Sequence, residues 1–179
     1  MEKIDEKKVF AGTRFDVHQM SIRGSDGKLY QREVLRHPGA VVLLPECDDG
    51  RLVLIRNRRL TVDQTLLELP AGTRDPDESP LETAARELIE ETGFEAMRFD
   101  LVHEFFSAPG ISDERMWLYR ATGLREVGAQ REAIEEIENE IADADQIRRW
   151  LAGGDVQDGK TLVGLYAWLA MQPPDPKPF

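Results

Sequence analysis

Residues 72–94 constrain the fold of this chain more than any other segment, because they predict one short and very acidic helix. Ser79, Pro80 and Glu82 form a helix-start signature, in which the serine caps, the proline suits the first turn and the glutamate completes a capping box. Gly93 can end the helix in a left-handed conformation. The expected apolar stripe, which has to pack on another element, consists of Leu81, Ala84, Ala85 and Leu88.

Strands are predicted on both sides of this helix, and two more helices near the end of the chain. Alternating residues around a Gly-Ser-Asp-Gly turn predict an N-terminal β-hairpin of residues 15–23 and 28–35. Further strands are predicted at 40–44, 51–56, 66–69, 99–106 and 115–121, and helices at 143–151 and 161–171. This order favours an α/β fold with a mixed sheet and helices on its faces. We expect a single domain, 1–179, with a tail at 172–179.

The charge of the chain limits its partners. Lys and Arg total 23 against 34 Asp and Glu, a net charge of −11, which argues against binding a nucleic-acid polymer. A phosphate-containing substrate would need a metal cation to enter so acidic a protein. The single Cys47 excludes an intramolecular disulfide and fits a reducing compartment. The charged N-terminus and the absence of about 20 consecutive apolar residues predict a cytoplasmic protein without a membrane partner.

The acidic helix concentrates three carboxylates on one side. Glu87 and Glu91 are four residues apart, and Glu90 is three residues from Glu87. At about 4 Å and an effective dielectric near 20, each close pair would cost on the order of 4 kcal/mol if both groups stayed charged. Either the side chains spread into solvent, or a divalent cation lies among them, and such hard oxygen ligands suit Mg²⁺ or Mn²⁺. Arg86 is placed to pair with a helix glutamate or with the loop acid Glu78.

The segment from Gly72 to Phe94 resembles the Nudix box, G-x5-E-x7-R-E-U-x-E-E-x-G-U, where U is aliphatic or apolar. Every defined position matches when Phe94 counts as apolar, and seven fixed positions would coincide by chance about once in 10⁸ starts. The resemblance implies a Nudix-type α/β/α sandwich. It also implies a metal-dependent hydrolase that cleaves a nucleoside diphosphate linked to another moiety.

Roles for individual residues follow from the same resemblance. Glu87 and Glu91 match the main metal ligands of the family, and Glu90 matches a further ligand or a group that orients water. Ala71 matches a backbone carbonyl ligand, which the bend before the helix is placed to offer. The resemblance also implies that Arg86, together with Glu78, shapes the loop and holds the helix glutamates.

A proline sixteen residues after Gly93 narrows the resemblance. Pro109 at this offset is similar to the marker of ADP-ribose pyrophosphatases within the family, and residues 107–114 and 69–72 also resemble that subgroup. A Pro-Gly step is equally the plainest turn, so the flanking resemblance carries the interpretation. The subgroup implies ADP-ribose as substrate, with AMP and ribose 5-phosphate as products. It also implies a homodimer formed by the N-terminal strands, about residues 10–36.

Substrate-side residues are implied by the subgroup as well. Arg56 and Arg59 resemble its arginines that bind phosphate or ribose, and Glu68 is a candidate polar contact. In the acidic run after residue 130, Glu132 is the first choice and Glu135 the second for the glutamate that positions or deprotonates water. Ordinary solvated surface charges would explain the same arginines and acids.

Two alternatives stay open. The subgroup often has Gln-x-Arg-Pro where this chain has Asn-Arg-Arg-Leu at residues 57–60, so a nucleotide sugar such as GDP-mannose or ADP-glucose is an alternative substrate. A non-catalytic module that binds a nucleotide to regulate a partner is the second alternative. Such modules usually lose box carboxylates, and this chain has them all.

Overall fold

The computed structural model describes residues 1–131 and 136–172, which form ten strands, three α-helices and one π-helical turn. The strands are β1 (Glu2–Ala11), β2 (Asp16–Arg23), β3 (Leu29–Arg36), β4 (Ala40–Pro45), β5 (Leu52–Arg59), β6 (Gln64–Glu68), β7 (Ala71–Thr73), β8 (Phe94–Phe106), β9 (Arg115–Glu126) and β10 (Ile137–Ala142). The helices are α1 (Pro80–Glu87), α2 (Ala144–Gly153) and α3 (Gly159–Met171), with the π-helical turn at Leu88–Thr92. Among the described residues, no helix is both long enough and apolar enough to cross a bilayer.

Strand β4 is the centre of an α/β/α sandwich. It lies in a mixed sheet of order β7-β4-β9-β8, in which β4 and β9 are parallel and the other pairs antiparallel. Every residue of β4 is buried, and successive side chains point to opposite faces. Val42 and Leu44 belong to the core cluster that contains α3, whereas Val41 and Leu43 pack with Leu88 beside α1. The mixed α/β sandwich predicted from the sequence is therefore confirmed.

The start of α1 forms as the sequence predicts. Ser79 accepts from the Glu82 N–H, the Glu82 carboxylate accepts from the Ser79 N–H, and a proline occupies the first helical position. One part of the predicted apolar stripe is wrong, since Leu81 faces solvent and Thr83 is buried instead. The Thr83 hydroxyl donates to the Glu78 carboxylate and lies 3.2 Å from the Ser79 carbonyl, which satisfies this polar group inside the fold.

Several elements depart from the boundaries that the sequence predicted, and β7 forms where only a bend was expected. Strand β1 pairs with β2. Most of its residues are charged and exposed, so its sequence lacks the alternation of apolar residues that would predict a strand. Strand β8 begins at Phe94, directly after the helix-ending Gly93. Strand β10 begins within the acidic run, where the sequence predicted no strand. Its acids face outward, and Ile137 and Ala142 are buried.

The N-terminal sheet β1-β2-β3 is tied to the β8–β9 loop through one arginine. Arg36 donates through Nε and Nη2 to the two carboxylate oxygens of Glu6 at 2.8 and 2.9 Å, and through Nη1 to Asp113 at 2.9 Å. The N–H of Leu35 donates to the carbonyl of Ile111 at 2.8 Å. The hairpin that the sequence predicts, β2 and β3, thus supplies two strands of a three-stranded sheet whose central strand is β2.

The ion pair of Glu6 with Arg36 predicts how the stability of the fold depends on pH. Arg36, with a smaller contribution from Lys3, lowers the pKa of Glu6 from its ordinary 4.5 to about 2. Since Glu6 binds its proton more weakly in the folded state, its contribution is complete above pH 4.5 and is lost as the pH falls to about 2. We expect Glu6→Gln to have a lower Tm than wild type at pH 7, with the difference shrinking between pH 4.5 and 2.

Thermal unfolding followed by circular dichroism at several pH values measures this difference. Glu2→Gln removes a carboxylate from the same strand at an exposed position and serves as the matched control. A Tm difference between Glu6→Gln and wild type that is as large at pH 2 as at pH 7 would contradict the assignment.

Candidate active site

Arg86 holds three acids around one guanidinium. Its Nε and Nη2 donate to the two carboxylate oxygens of Glu78 at 2.8 and 2.9 Å. Its Nη1 donates to Glu87 at 2.7 Å and to Glu90 at 2.8 Å, and Nη2 also reaches the carbonyl of Thr73 at 3.2 Å. The arginine therefore connects the loop before α1 with the acidic side of the helix.

The pairing of Arg86 with Glu78 keeps both groups charged. Arg86, followed by a hydrogen bond from Thr83, lowers the pKa of Glu78 to about 2, and Glu78 is in turn the largest cause of a raised pKa at Arg86. Glu87 and Glu90 raise the pKa of Arg86 further. The bidentate arginine–carboxylate pair is thus fully ionised at neutral pH, and it fixes the loop geometry through charge-assisted hydrogen bonds.

The carboxylates of Glu87 and Glu91 both lie against the backbone of Ala71 and Gly72. Glu91 is only 4% exposed, and its Oε2 accepts from the N–H of Ala71 at 2.8 Å. A Cβ added to Gly72 would lie 1.7 Å from Cδ of Glu87, so this carboxylate occupies the space that a larger residue would fill. Strand β7 brings this backbone to the helix by pairing with β4, where Ala71 lies opposite Val42.

The residues fit a hard divalent cation. Glu87, Glu90 and Glu91 supply carboxylate oxygens, the donor type that Mg²⁺ and Mn²⁺ prefer, and two of them converge on the Ala71–Gly72 backbone. As the side chains stand, no group of three acids, histidines or cysteines in residues 1–131 and 136–172 is arranged to hold an ion. The ligand roles of these glutamates and of the Ala71 carbonyl stay predictions.

A second charged cluster surrounds Glu68. This carboxylate is 1% exposed and accepts from Nε and Nη2 of Arg59, each at 2.7 Å, and from Nζ of Lys160. Lys160 also pairs with Asp158 at 2.9 Å. Glu68 is the largest cause of a raised pKa at Arg59. Strand β5, which carries Arg59, packs against the π-helical turn, so this cluster lies beside the acidic helix.

The sequence predicts Arg59 and Glu68 as separate substrate contacts, whereas the structure pairs them with each other. Lys160 and Asp158, which the sequence analysis does not single out, complete the cluster. The available signal was the capping aspartate at the start of α3, where Asp158 accepts from the N–H of Thr161. The hydroxyl of Thr161 donates to Asp158 and lies 2.8 Å from the N–H of Leu69, so α3 is fixed next to the strand that carries Glu68.

Other predicted residues lie elsewhere. Arg56 is exposed on β5 and donates to Glu140 of β10 at 2.8 Å. Pro109 lines a cleft of about 270 Å³ between the β8–β9 loop and the N-terminal sheet, together with apolar residues and Arg36. Glu132 and Glu135, the two choices for a catalytic loop glutamate, lie outside the described residues.

Comparison with known proteins places this geometry in a family context. The NUDIX domain model matches residues 35–169. An ADP-ribose pyrophosphatase of Bacillus subtilis (strain 168) is 30% identical over 172 residues, covering 92% of this chain and 93% of its own length. One from Mycobacterium tuberculosis (strain ATCC 25618 / H37Rv) is 35% identical over 170 residues, covering 93% and 82%. A GDP-mannose pyrophosphatase of Yersinia pestis (strain Pestoides F) is 33% identical over 145 residues, covering 74% and 71%.

A solved structure agrees on the architecture. The crystal structure of an ADP compounds hydrolase superposes with a TM-score of 0.80, covering 93% of this chain and 90% of the other. The two sequences are 23% identical, so this likeness concerns the fold.

The contact between Gly72 and Glu87 generates a prediction. In Gly72→Ala the new methyl group would meet the carboxylate end of Glu87, which is flexible and can move aside. We therefore expect the fold to survive while the acid is displaced from the site, with turnover reduced about 10-fold or more. Steady-state kinetics together with Tm measures both effects.

Gly153→Ala is the matched control, because its new Cβ would also meet only a carboxylate, that of Asp155, at the far end of α2. A wild-type rate in Gly72→Ala, or a Tm loss that accounts for the lost activity, would contradict this reading of the glycine.

Proposed function

The chain belongs to the NUDIX domain family, and we propose that its substrate is ADP-ribose, which it hydrolyses to AMP and ribose 5-phosphate. It is a pyrophosphohydrolase of nucleoside diphosphates linked to another moiety, as its relatives and its fold indicate. The observation that carries the proposal is the complete set of helix carboxylates: Arg86 holds Glu87 and Glu90, and the Ala71 N–H holds Glu91. The ADP-ribose pyrophosphatases among the relatives, together with Pro109, support the choice of substrate.

Nudix hydrolases generally need a divalent metal, and we propose Mg²⁺ here, with Mn²⁺ as the alternative. Glu87, Glu90 and Glu91, with the carbonyl of Ala71, would hold it. When bound, such an ion supplies neutralising charge to a diphosphate and lowers the pKa of a bound water. The chain itself supplies orientation, because Arg86 fixes Glu87 and Glu90 relative to the loop before any ligand arrives.

The Arg59 cluster supplies the substrate side of the proposal. The Arg59 side chain is 35% exposed, whereas its partner Glu68 is buried. Glu68 holds Nε and Nη2 of Arg59 in place, and part of the guanidinium stays accessible to a ligand. An arginine fork held in this way suits a phosphate or a ribose oxygen. Arg56 and Pro109 are proposed as further substrate contacts.

A general base would complete the reaction. We propose Glu132 for this role, with Glu135 as the second choice, because this acidic run resembles the loop from which the subgroup supplies a glutamate that positions or deprotonates the water. A positioned base contributes about 10²–10⁴-fold to the rate. Both residues belong to the segment that begins directly after Arg131, whose side chain contacts the backbone of Glu91.

One other substrate class has an observation in its favour. The GDP-mannose pyrophosphatase relative and the Asn-Arg-Arg-Leu sequence at residues 57–60 support a nucleotide-sugar hydrolase acting on GDP-mannose or ADP-glucose. Such an enzyme would share the fold and the acidic helix. A non-catalytic regulatory module is the weaker alternative, since every box carboxylate is present.

We also propose that the chain is one domain that forms a homodimer through strands at about residues 10–36. Large apolar side chains of the N-terminal sheet and its turns are exposed, among them Phe10, Phe15, Leu29 and Tyr30. Exposed apolar groups concentrated on one sheet are typical of a surface that a partner covers. The acidic charge argues against a nucleic-acid polymer as that partner. With its single cysteine, the enzyme is proposed to work in the cytoplasm.

The activity proposal predicts a substrate order. With Mg²⁺ present, we expect nucleoside monophosphate release to be fastest from ADP-ribose and slower from GDP-mannose and ADP-glucose, measured as kcat/KM. Glu91→Gln should lose at least about 100-fold in turnover, since a neutral amide is a poorer ligand for a hard cation. The amide oxygen can still accept from the Ala71 N–H, so the fold should be retained.

Glu95→Gln, at an exposed pair with Arg125, is the control for loss of one negative charge. A near-normal rate of Glu91→Gln at saturating Mg²⁺ would contradict the ligand role, and a faster rate on GDP-mannose would favour the alternative substrate.

The dimer proposal predicts the sedimentation behaviour. At micromolar concentration we expect the mass of two chains, and we expect Leu29→Glu to shift the protein toward one chain because it places a charge on the apolar surface. Val163→Glu changes an exposed apolar residue of α3 and controls for solubility. A wild-type protein that sediments as a monomer would defeat the proposal.

A further inference from the structure

The end of the acidic helix is held by a segment from much later in the chain. The last four carbonyls of a helix have no partner inside it and need donors from elsewhere. Here the carbonyl of Glu90 accepts from the N–H of Gln130 at 3.2 Å, and that of Gly93 from the N–H groups of Val127 and Gly128 at 2.8 and 3.1 Å. Backbone donors thus satisfy two of the four.

Two side chains satisfy the other two carbonyls. Nε of Arg131 donates to the carbonyl of Glu91 at 3.0 Å, and Nδ2 of Asn139 donates to the carbonyl of Thr92 at 2.7 Å. The two capping residues also bond to each other, because Nη2 of Arg131 lies 3.0 Å from Oδ1 of Asn139. We call this arrangement the Arg131–Asn139 clasp.

The chain is built for this close approach. Gly93 has a φ of 78°, and a Cβ on it would lie 2.6 Å from the backbone nitrogen of Ala129 and 3.0 Å from the carbonyl carbon of Gly128. Glycine therefore allows the segment 127–131 to pass directly over the helix end. Arg131 adds a cation at the end of the helix where the backbone dipole is negative.

We propose that Arg131 and Asn139 are positioning residues for hydrolysis, because they fix the backbone from which Glu90 and Glu91 project. This inference rests on the proposed function, which assigns those glutamates to the metal. Both glutamates lie in the π-helical turn Leu88–Thr92, a rare conformation that occurs as single turns, frequently at functional sites. This turn has only five residues, and its last three carbonyls accept hydrogen bonds from later parts of the chain. Those donors therefore determine the geometry of the turn.

The clasp also determines the position of Glu90 and Glu91 relative to Arg59. Asn139 is on β10, directly opposite Ile55 of β5, and β5 continues to Arg59. The bond from Asn139 to the Thr92 carbonyl therefore connects the helix end to the sheet that carries the Arg59–Glu68 pair. Loss of this bond changes the spacing between the carboxylates and Arg59 without removing a charge from either.

Asn139→Leu tests the inference, since it keeps the side-chain size and removes both bonds of the amide. We expect the affinity for Mn²⁺, measured by electron paramagnetic resonance, to fall about 10-fold, with a similar loss in kcat and little change in KM. Asn139→Asp should act in the same direction, because the carboxylate can accept from Arg131 but cannot donate to the Thr92 carbonyl.

Ile137→Val is the matched control, because it trims a buried methyl group from the same strand without touching the clasp. It should lower Tm while leaving Mn²⁺ affinity unchanged. An Asn139→Leu variant that behaves like this control, with a lower Tm and unchanged Mn²⁺ affinity and kcat, would overturn the inference.

A third measurement separates this inference from the proposed function. Without metal, the amides of residues 91–93 should exchange with deuterium faster in Asn139→Leu than in Ile137→Val. If wild type neither binds Mn²⁺ nor turns over, the proposed function has failed and the exchange rates alone decide. Faster exchange then supports the positional role of the clasp, and equal exchange in the two variants overturns it.

Discussion

The crowding of like charges on one side of α1 is the constraint on which the rest of this structure depends. Glu87 and Glu90 share the Nη1 atom of Arg86, while Glu78 takes the opposite edge of the same guanidinium. Five well-directed donors on a planar group make this possible, which a lysine at the same position would not provide. The helix can therefore hold these acids close together before a cation is present.

The two ends of the acidic helix are stabilised in different ways. Its start is local, since Ser79 and Glu82 satisfy each other's backbone within four residues. Its end depends on tertiary contacts, because segment 127–131 and Asn139 supply all the donors to the last carbonyls. The end nearer the chemistry is thus the end whose geometry the rest of the fold controls.

The site as a whole joins two charged groups of different character. Around α1 the acids exceed the single arginine and leave negative charge for a cation to neutralise. Around Glu68, Arg59 and Lys160 balance Glu68 and Asp158, so the buried acid is compensated and Arg59 keeps an exposed edge. A diphosphate with its metal ion needs both kinds of surface, and β5, which carries Arg59 and packs against the π-helical turn, brings them side by side.

The sequence by itself determined what depends on neighbours along the chain: the capped start of α1, the Gly93 end, the buried strand β4 and the acids at helical spacing. These features follow from propensity, capping and period, which act over a few residues. Only the tertiary structure decided the pairing of Arg59 with Glu68, the part played by Lys160, and the strands β1 and β10. The charged contacts join residues as far as 92 positions apart in the chain. Strands β1 and β10 are rich in charged residues, so no alternation of apolar residues predicts them. The same reason explains Leu81 and Thr83, whose burial was settled by the loop packed against the helix, since Glu78 offered the buried hydroxyl a partner.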